Sequence, residues 1–174
     1  MEHEITHEAA HDRDPFGKKI GVLAAVIGVF LVVVTIESHR AHTQAVIVRT
    51  EANDQWAFYQ AKSLKRHTLE VGRDLLSVLP PSEKTAGITE RYSKEIERYG
   101  EETREIQDKA NEKEAETALV EKQALRFDLG EGFLELGLVL ASLYFLSRKK
   151  LFPVLGCISG ADGLVLAATG LFLH

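Results

Sequence analysis

Residues 78–85, Val-Leu-Pro-Pro-Ser-Glu-Lys-Thr, interrupt a long polar segment that extends over residues 37–128. Pro80 has no backbone donor and clashes with the turn before it, so a helix arriving from the N-terminal side must stop near Leu79. The stretch therefore predicts a helical hairpin with its turn at residues 80–81. Its two arms are nearly equal, and each is on the order of 65 Å long.

The start of the second arm has two possible positions. Ser82 is a suitable helix cap, and Glu83 is favourable in a first turn. Gly87 weakens a helix that begins there. A later start near Thr89, with Thr85 or Thr89 as the cap, is the alternative.

Both arms carry a repeat in which apolar or small residues recur at alternating steps of three and four. Such spacing keeps one seam of a helix facing a partner helix, with a slight left-handed supercoil. Because Ala and Thr occupy several positions, the arms should pack closely, but an isolated pair would be only marginally stable. The predicted seam of the first arm is Ile47, Thr50, Asp54, Ala57, Ala61, Leu64, Thr68, Val71, Leu75 and Val78. That of the second is Tyr92, Ile96, Tyr99, Thr103, Ile106, Ala110, Lys113, Thr117, Val120, Ala124 and Phe127.

Apolar segments flank the hairpin on both sides. After a polar tail at residues 1–17, residues 18–36 contain an uncharged run that predicts a first transmembrane helix, and no signal-peptide cleavage site follows it. Residues 129–147 and 151–173 predict a second and a third. The expected fold class is therefore all-α, with three transmembrane helices and a long antiparallel coiled-coil stalk between the first and second.

Lysine and arginine residues near the spans indicate the orientation, because cytoplasmic loops carry an excess of them. A three-span topology places Arg13, Lys18, Lys19, Arg148, Lys149 and Lys150 on one side, and Arg40, Arg49, Lys122 and Arg126 on the other. The larger group favours a cytoplasmic N-terminus and an extracytoplasmic hairpin.

The composition narrows the range of functions. The net charge is −5, and charges of both signs alternate through the hairpin, which is typical of solvated helices rather than of a nucleic-acid-binding surface. Cys157 is the single cysteine, so an intramolecular disulfide is excluded. The sequence contains no Ser/His/Asp or Cys/His catalytic pattern and no phosphate-binding loop. It therefore predicts neither an enzyme nor a cofactor.

The N-terminal tail contains two overlapping matches to the H-E-x-x-H pattern of zinc hydrolases, formed by His3, His7 and His11. That chemistry also needs a third ligand and a glutamate shielded in a cleft. The tail has too few apolar residues to bury such a site. We interpret it as a solvated helix or tail with fortuitous matches, and non-catalytic metal binding is the alternative.

Small residues form stripes in the first and last spans, an arrangement that lets helix backbones approach closely in lipid. The first stripe is Gly17, Gly21, Ala24 and Gly28, and the last is Gly156, Gly160, Gly163, Ala167 and Gly170. Together with the thin hairpin seams, they predict a homo-oligomer in the lipid bilayer.

Asp162 stands near the midpoint of the last span. An acidic residue there costs roughly 2.5–3.5 kcal/mol on insertion scales, and the spans contain no basic partner for it. We expect it to be protonated and hydrogen-bonded to Ser159, to Ser142 or to its equivalent in another subunit. An interhelical hydrogen bond is one interpretation. A proton- or cation-linked site, with Glu135 and Glu131 as further intramembrane acids, is the other.

Polar side chains also lie where the first span ends and the hairpin returns. His39 and His42 should be level with Asp128 and Glu131. Metal binding or pH sensing is conceivable for this group. Ordinary polar side chains at a membrane interface are the alternative.

The segment Asn53-Asp54-Gln55-Trp56-Ala57-Phe58-Tyr59-Gln60-Ala61-Lys62 mixes aromatic and amide side chains on a coiled-coil helix. One interpretation is that Trp56 and Tyr59 cover the partner helix while Asp54 fixes the register. The other is a recognition surface for another protein or subunit, formed by Asn53, Asp54, Trp56, Tyr59 and Gln60.

This segment, continued to Ser63-Leu64-Lys65 and preceded by Glu37-Ser38-His39-Arg40, resembles the signature of a bacterial membrane family catalogued as domain of unknown function 4337. The resemblance covers most of the chain, including the order of span, charged middle and two further spans. It implies a bacterial integral membrane protein, which we expect to lie in the cytoplasmic (inner) membrane. It implies no activity, substrate or site.

Two functions follow as hypotheses. The first is a non-enzymatic oligomeric scaffold or partner-binding protein that acts through its hairpin. The second is a small channel, transporter subunit or proton-linked sensor that uses Asp162.

Overall fold

The computed structural model describes residues 14–173, and within that range it contains three α-helices and no strand. They are α1 (Pro15–Ser77), α2 (Glu83–Ser147) and α3 (Leu151–Leu171). The long helices α1 and α2 pack as an antiparallel hairpin, and each of the three helices is long enough and, over part of its length, apolar enough to cross a membrane. The predicted all-α fold class is confirmed.

The side chain of Asp14 begins α1. Its Oδ1 accepts the N–H of Gly17 at 2.9 Å, while Pro15 supplies the fixed φ that suits a first helical position. Its Oδ2 accepts the hydroxyl of Tyr144 at 3.2 Å and the guanidinium of Arg148 at 2.6 Å. The Gly17 N–H, helped by these two donors, holds the pKa of Asp14 below its usual range.

A reciprocal cap begins α2 directly after the prolines. The Ser82 hydroxyl accepts the N–H of Thr85 at 3.1 Å, and the Thr85 hydroxyl accepts the N–H of Ser82 at 2.8 Å. The second arm therefore has a capped start at the turn. The helix starts at Glu83, and the alternative of a later start near Thr89 is wrong.

The chain divides into two compact units. Residues 45–118 form what we call the hairpin unit. Residues 14–44 and 119–173 form the three-helix unit.

In the hairpin unit, α2 presents the predicted seam. Thr103, Ile106, Ala110 and Thr117 are buried, and no position of the predicted second-arm repeat is exposed. Lys113 is a charged residue in that seam. Its ammonium group donates to Glu116 and, across the hairpin, to Glu51, at 2.8 Å each, and these bonds raise its pKa.

The predicted seam of α1 is wrong, since all ten of its positions are exposed. The helix instead turns inward a neighbouring face that begins with the buried Ala45, Val48 and Ala52 and continues with half-buried Trp56 and Tyr59. Small residues allow a close approach, and aromatic rings bury more surface than isolated Val or Leu side chains. No residue between positions 53 and 102 is fully buried.

The three-helix unit has two apolar clusters. Ile27, Val34, Phe127, Leu134 and Ala167 form the larger, which draws on all three helices. Ile20, Ala141 and Tyr144 form the smaller, with Phe16 packed against it.

Glycines bring α2 and α3 into backbone contact. A Cβ placed on Gly137 would lie 2.9 Å from the carbonyl oxygen of Gly156, and one on Gly156 would lie 2.7 Å from that of Gly137. Gly130 and Gly163 meet in the same reciprocal way, at 2.8 and 2.7 Å. Small residues permit this close approach of two spans.

The remaining glycines of the predicted stripes differ in their surroundings. Gly160 is buried, and an added Cβ would lie 3.4 Å from Cδ1 of Ile27. Gly21 and Gly28 have no atom within 4 Å of that position. The described chain therefore leaves space beside α1 that it does not leave beside α3.

Candidate interaction surface and polar groups of the spans

An unpartnered row of apolar side chains runs along α1 in the hairpin unit. Leu64, Val71, Leu75 and Val78 expose 68, 60, 63 and 78% of their surface. Ala61 and Thr68, also exposed, complete the steps of three and four. We call the six residues the α1 stripe, of which Val78 directly follows the end of the helix at Ser77. Contiguous exposed apolar patches of a few hundred Å² mark interaction sites.

An open groove of about 470 Å³ adjoins the α1 stripe. Leu64 and Thr68 of the stripe line it, together with Leu69 and the rings of Tyr92 and Tyr99 on α2. The stripe is thus bordered by a concave, largely apolar surface rather than by solvent-facing charges alone.

The segment of mixed aromatic and amide side chains, residues 53–62, lies on α1 toward the N-terminal end of the α1 stripe. The rings of Trp56 and Tyr59 meet edge to face, with centroids 5.6 Å apart, and both side chains are half-buried. Asn53, Asp54 and Gln60 are exposed. The rings therefore contribute to the hairpin while the polar side chains stay accessible.

A cluster that the sequence did not indicate joins the arms at Lys62. Its ammonium group donates to the carboxylate of Glu102 and lies 5.4 Å from the ring centroid of Phe58 and 5.2 Å from that of Tyr99. The Lys62 hydrogen bond holds the pKa of the Glu102 carboxyl below its usual range. The one signal for the Lys62–Glu102 pair in the sequence is that the two residues lie at similar distances from the turn.

In the three-helix unit, a ladder of polar contacts joins α1 to α2. The Thr35 hydroxyl donates to Glu131 at 2.7 Å, and the buried Ser38 hydroxyl donates to Asp128 at 2.7 Å. Nε2 of His42 lies 3.0 Å from both carboxylate oxygens of Asp128. The sequence indicated His42 and the two acids, and it missed Thr35 and Ser38, whose spacing places them on the same face of α1.

The other histidines do not join this ladder. His39 is exposed, and its carbonyl accepts the hydroxyl of Thr43 at 2.9 Å. Residues 14–173 contain no group of three or more His, Cys, Asp or Glu side chains that could hold a metal. His3, His7 and His11 lie outside the described residues.

Asp162 is exposed on α3, and its expected hydroxyl partners are bonded elsewhere. Ser159 donates to the carbonyl of Phe133 on α2, and Ser142 donates to the carbonyl of Val139 on its own helix, both at 2.7 Å. The next residue, Gly163, meets the backbone of α2. The carboxyl therefore points away from the two neighbouring helices.

Glu135 is likewise exposed, on α2. Glu131, in contrast, is half-buried and bonded to Thr35. The three intramembrane acids predicted from the sequence thus have two different surroundings, one between helices and two on outward faces.

These features define an all-helical protein with three helices able to cross a membrane and a hairpin that exposes an apolar stripe. The chain belongs to the family described as Domain of unknown function (DUF4337), whose profile matches residues 16–173. This confirms the resemblance of the sequence to that family. No curated protein and no solved structure matches the chain.

Proposed function

We propose that this protein is a non-enzymatic integral protein of the bacterial cytoplasmic membrane, an oligomeric scaffold that binds other polypeptides through the α1 stripe. The exposure of Leu64, Val71, Leu75 and Val78 carries the proposal. Fully burying one such side chain contributes about 1.5–3 kcal/mol. The segment also contains charged residues such as Lys65 and Asp74, so lipid is not the medium that covers it.

Three helices of sufficient length and hydropathy support the membrane location. The basic residues near their ends support a cytoplasmic N-terminus. Lys18 and Lys19 precede the first span, and Arg148, Lys149 and Lys150 separate the second from the third.

The two acids that lie between α1 and α2, Asp128 and Glu131, support a structural role. Asp128 and Glu131 accept hydrogen bonds from Ser38 and Thr35 across the α1–α2 contact. Such bonds hold helices together, whereas a catalytic acid or base must reach a substrate in a cleft.

Cysteine labelling tests the stripe. In a Cys157→Ser background, Leu75→Cys and a control, Glu105→Cys on α2, are both exposed in the single chain. In native membranes, we expect a soluble maleimide to label Leu75→Cys several-fold more slowly than Glu105→Cys. In detergent with denaturant, the rates should become equal. Equal rates in native membranes would exclude a covered stripe.

A second candidate function rests on Asp162. Its carboxyl lies on an outward face of α3, and the described chain provides it no hydrogen-bond partner. Acids in spans commonly mark proton or ion pathways. The second candidate is therefore a proton- or cation-linked channel, transporter subunit or sensor, in which Asp162 exchanges the proton or binds the ion.

Asp162→Asn tests this second candidate. The substitution keeps the shape and removes the ionisable group. Proton uptake into vesicles containing the purified protein would be measured with an enclosed pH-sensitive dye, with Glu105→Gln as the control. Loss of a flux in Asp162→Asn alone, with assembly retained, would favour the second candidate over the scaffold. No flux in the unmodified protein would remove it.

A further inference from the structure

The repeat of the α1 stripe, the charges beside it and the shared membrane together indicate its occupant. We propose that it binds the α1 stripe of a second copy of this chain, as a parallel, in-register two-stranded coiled coil. The inference rests on the proposed function and names its partner.

The spacing of the stripe supports a helix as the partner. Its six residues follow steps of three and four over residues 61–78, the repeat by which a helix keeps one seam against another. The intramolecular partner α2 does not use it, since every stripe residue is exposed. The chain therefore has two such seams on α1, and only one is filled within the molecule.

The flanking charges suit a second copy. In a parallel, in-register pair, the residue just before Ala61, Thr68 or Leu75 faces the residue five places later on the partner helix. Gln60 then faces Lys65, and His67 faces Gly72, so no like charges meet.

The outer face of α2, in contrast, is unfavourable for pairing with a second copy of the chain. Glu97, Glu101 and Glu105 are exposed and share one face of that helix. Pairing that face with its own copy would bring like charges together, which costs free energy. The stripe on α1 is therefore the favoured self-contact of the hairpin unit.

The apolar area of the α1 stripe is too small to hold two soluble copies together, so the pairing also needs the membrane. The four Leu and Val side chains of the stripe expose on the order of 400 Å², the size of the largest apolar patch on a typical single chain, which is often functional. Two such patches bury on the order of 800 Å², below the usual size of a stable interface between soluble proteins. Insertion of both copies in one membrane raises their effective concentration and fixes their direction, which favours a parallel pair.

Disulfide cross-linking tests the pairing and its direction. Single cysteines replace Leu64 or Val78 in the Cys157→Ser background, with Glu105→Cys as the control. Under mild oxidation of native membranes and of the purified protein, we expect a dimer band at position 64 and at position 78. Each should be several-fold stronger than at position 105. Both positions lie toward the ends of the stripe, so same-position links form only when the helices are parallel.

A disrupting variant checks that the stripe makes the contact. Leu75→Lys changes a side chain that is 63% exposed, so the single chain should fold with unchanged helix content by circular dichroism. Combined with Leu64→Cys, it should reduce the dimer band to the level of the control. An undiminished band would overturn the proposal.

The remaining outcomes separate the inference from the proposed function. Links between positions 64 and 78 in mixed chains, without same-position links, would overturn the parallel arrangement. No links, but slow maleimide labelling of Leu75→Cys in membranes, would overturn self-pairing and leave a different partner on the stripe. No links and fast labelling would overturn both.

Discussion

The absent side chain of Gly137 determines how closely α2 and α3 approach. Its Cα faces the carbonyl oxygen of Gly156, and an added Cβ would meet backbone atoms that have no rotamer to change. Gly21 looks the same in a sequence, yet the space beside it is open. Spacing alone cannot separate the two cases, because it shows which residues share a face but not what lies opposite.

Gly137→Ala should therefore destabilise the three-helix unit by about 1–3 kcal/mol, the usual cost of overpacking. Thermal unfolding of the purified protein in detergent measures the effect. The control Gly21→Ala should show no loss, since alanine favours a helix by about 1 kcal/mol over glycine. Equal stability of Gly137→Ala and the unmodified protein would contradict the contact.

Asp14 gives a prediction on pH. Because its pKa is lowered in the native state, its ionised form contributes stability that is present above the ordinary carboxyl pKa of about 3.9 and is lost as the pH falls through the lower native value. Asp14→Asn keeps a good helix cap but removes the ion pair with Arg148. The unmodified protein should unfold at a higher temperature than Asp14→Asn near neutral pH, and the difference should vanish in acid. A difference that is the same at both pH values would contradict this assignment.

At the scale of elements, α1 shows what a sequence can and cannot predict. The turn at Pro80-Pro81, the helix cap at Ser82 and the seam of α2 follow from local chemistry, and the structure agrees with all three. The seam of α1 does not. That helix has two repeats, and the one richer in Leu and Val faces outward. Hydrophobic periodicity predicts that a face will be covered without showing which partner covers it.

The cap of α2 is testable in isolation. Ser82→Ala removes the acceptor of the Thr85 N–H and should cost about 1 kcal/mol of helix stability. Hydrogen exchange of the amides of residues 83–86 should become faster. Ser82→Asp, which retains an acceptor, should exchange at nearly the original rate. Unchanged exchange in Ser82→Ala would show that the prolines alone fix the turn.

The polar ladder was only half predictable. Asp128 and His42 were visible in the sequence as polar residues at matching heights, whereas Thr35 and Ser38 looked like ordinary residues at the end of a span. Their hydroxyls matter because α1 and α2 adjoin there, and that juxtaposition depends on the hairpin. The outward position of Asp162 was also hidden, because it depends on which face of α3 the glycines bury.

For the whole molecule, the described residues contain three helices that are long and apolar enough to cross a membrane. These three candidate spans were predictable from the sequence, because length and hydropathy decide whether a helix can cross a membrane. The number of copies was not, since identical apolar faces can be covered by lipid, by another copy or by another protein.

The orientation gives the corresponding prediction. In the Cys157→Ser background, Lys84→Cys beside the turn should react with a membrane-impermeant maleimide in cells whose outer barrier alone is opened. Lys149→Cys should react only after the inner membrane is permeabilised. The reverse order would place the hairpin in the cytoplasm and the N-terminus outside.

The burial of the hairpin unit is uneven, and this has a consequence for its motion. Since no residue between positions 53 and 102 is fully buried, the end near the prolines has the least to lose on opening. Regions with few buried apolar contacts open locally at low free-energy cost. The tips of the arms should therefore separate and reclose while the region around Ala110 stays closed. A polypeptide that binds the tip would have to hold the two arms together. The loss of this motion would reduce its affinity.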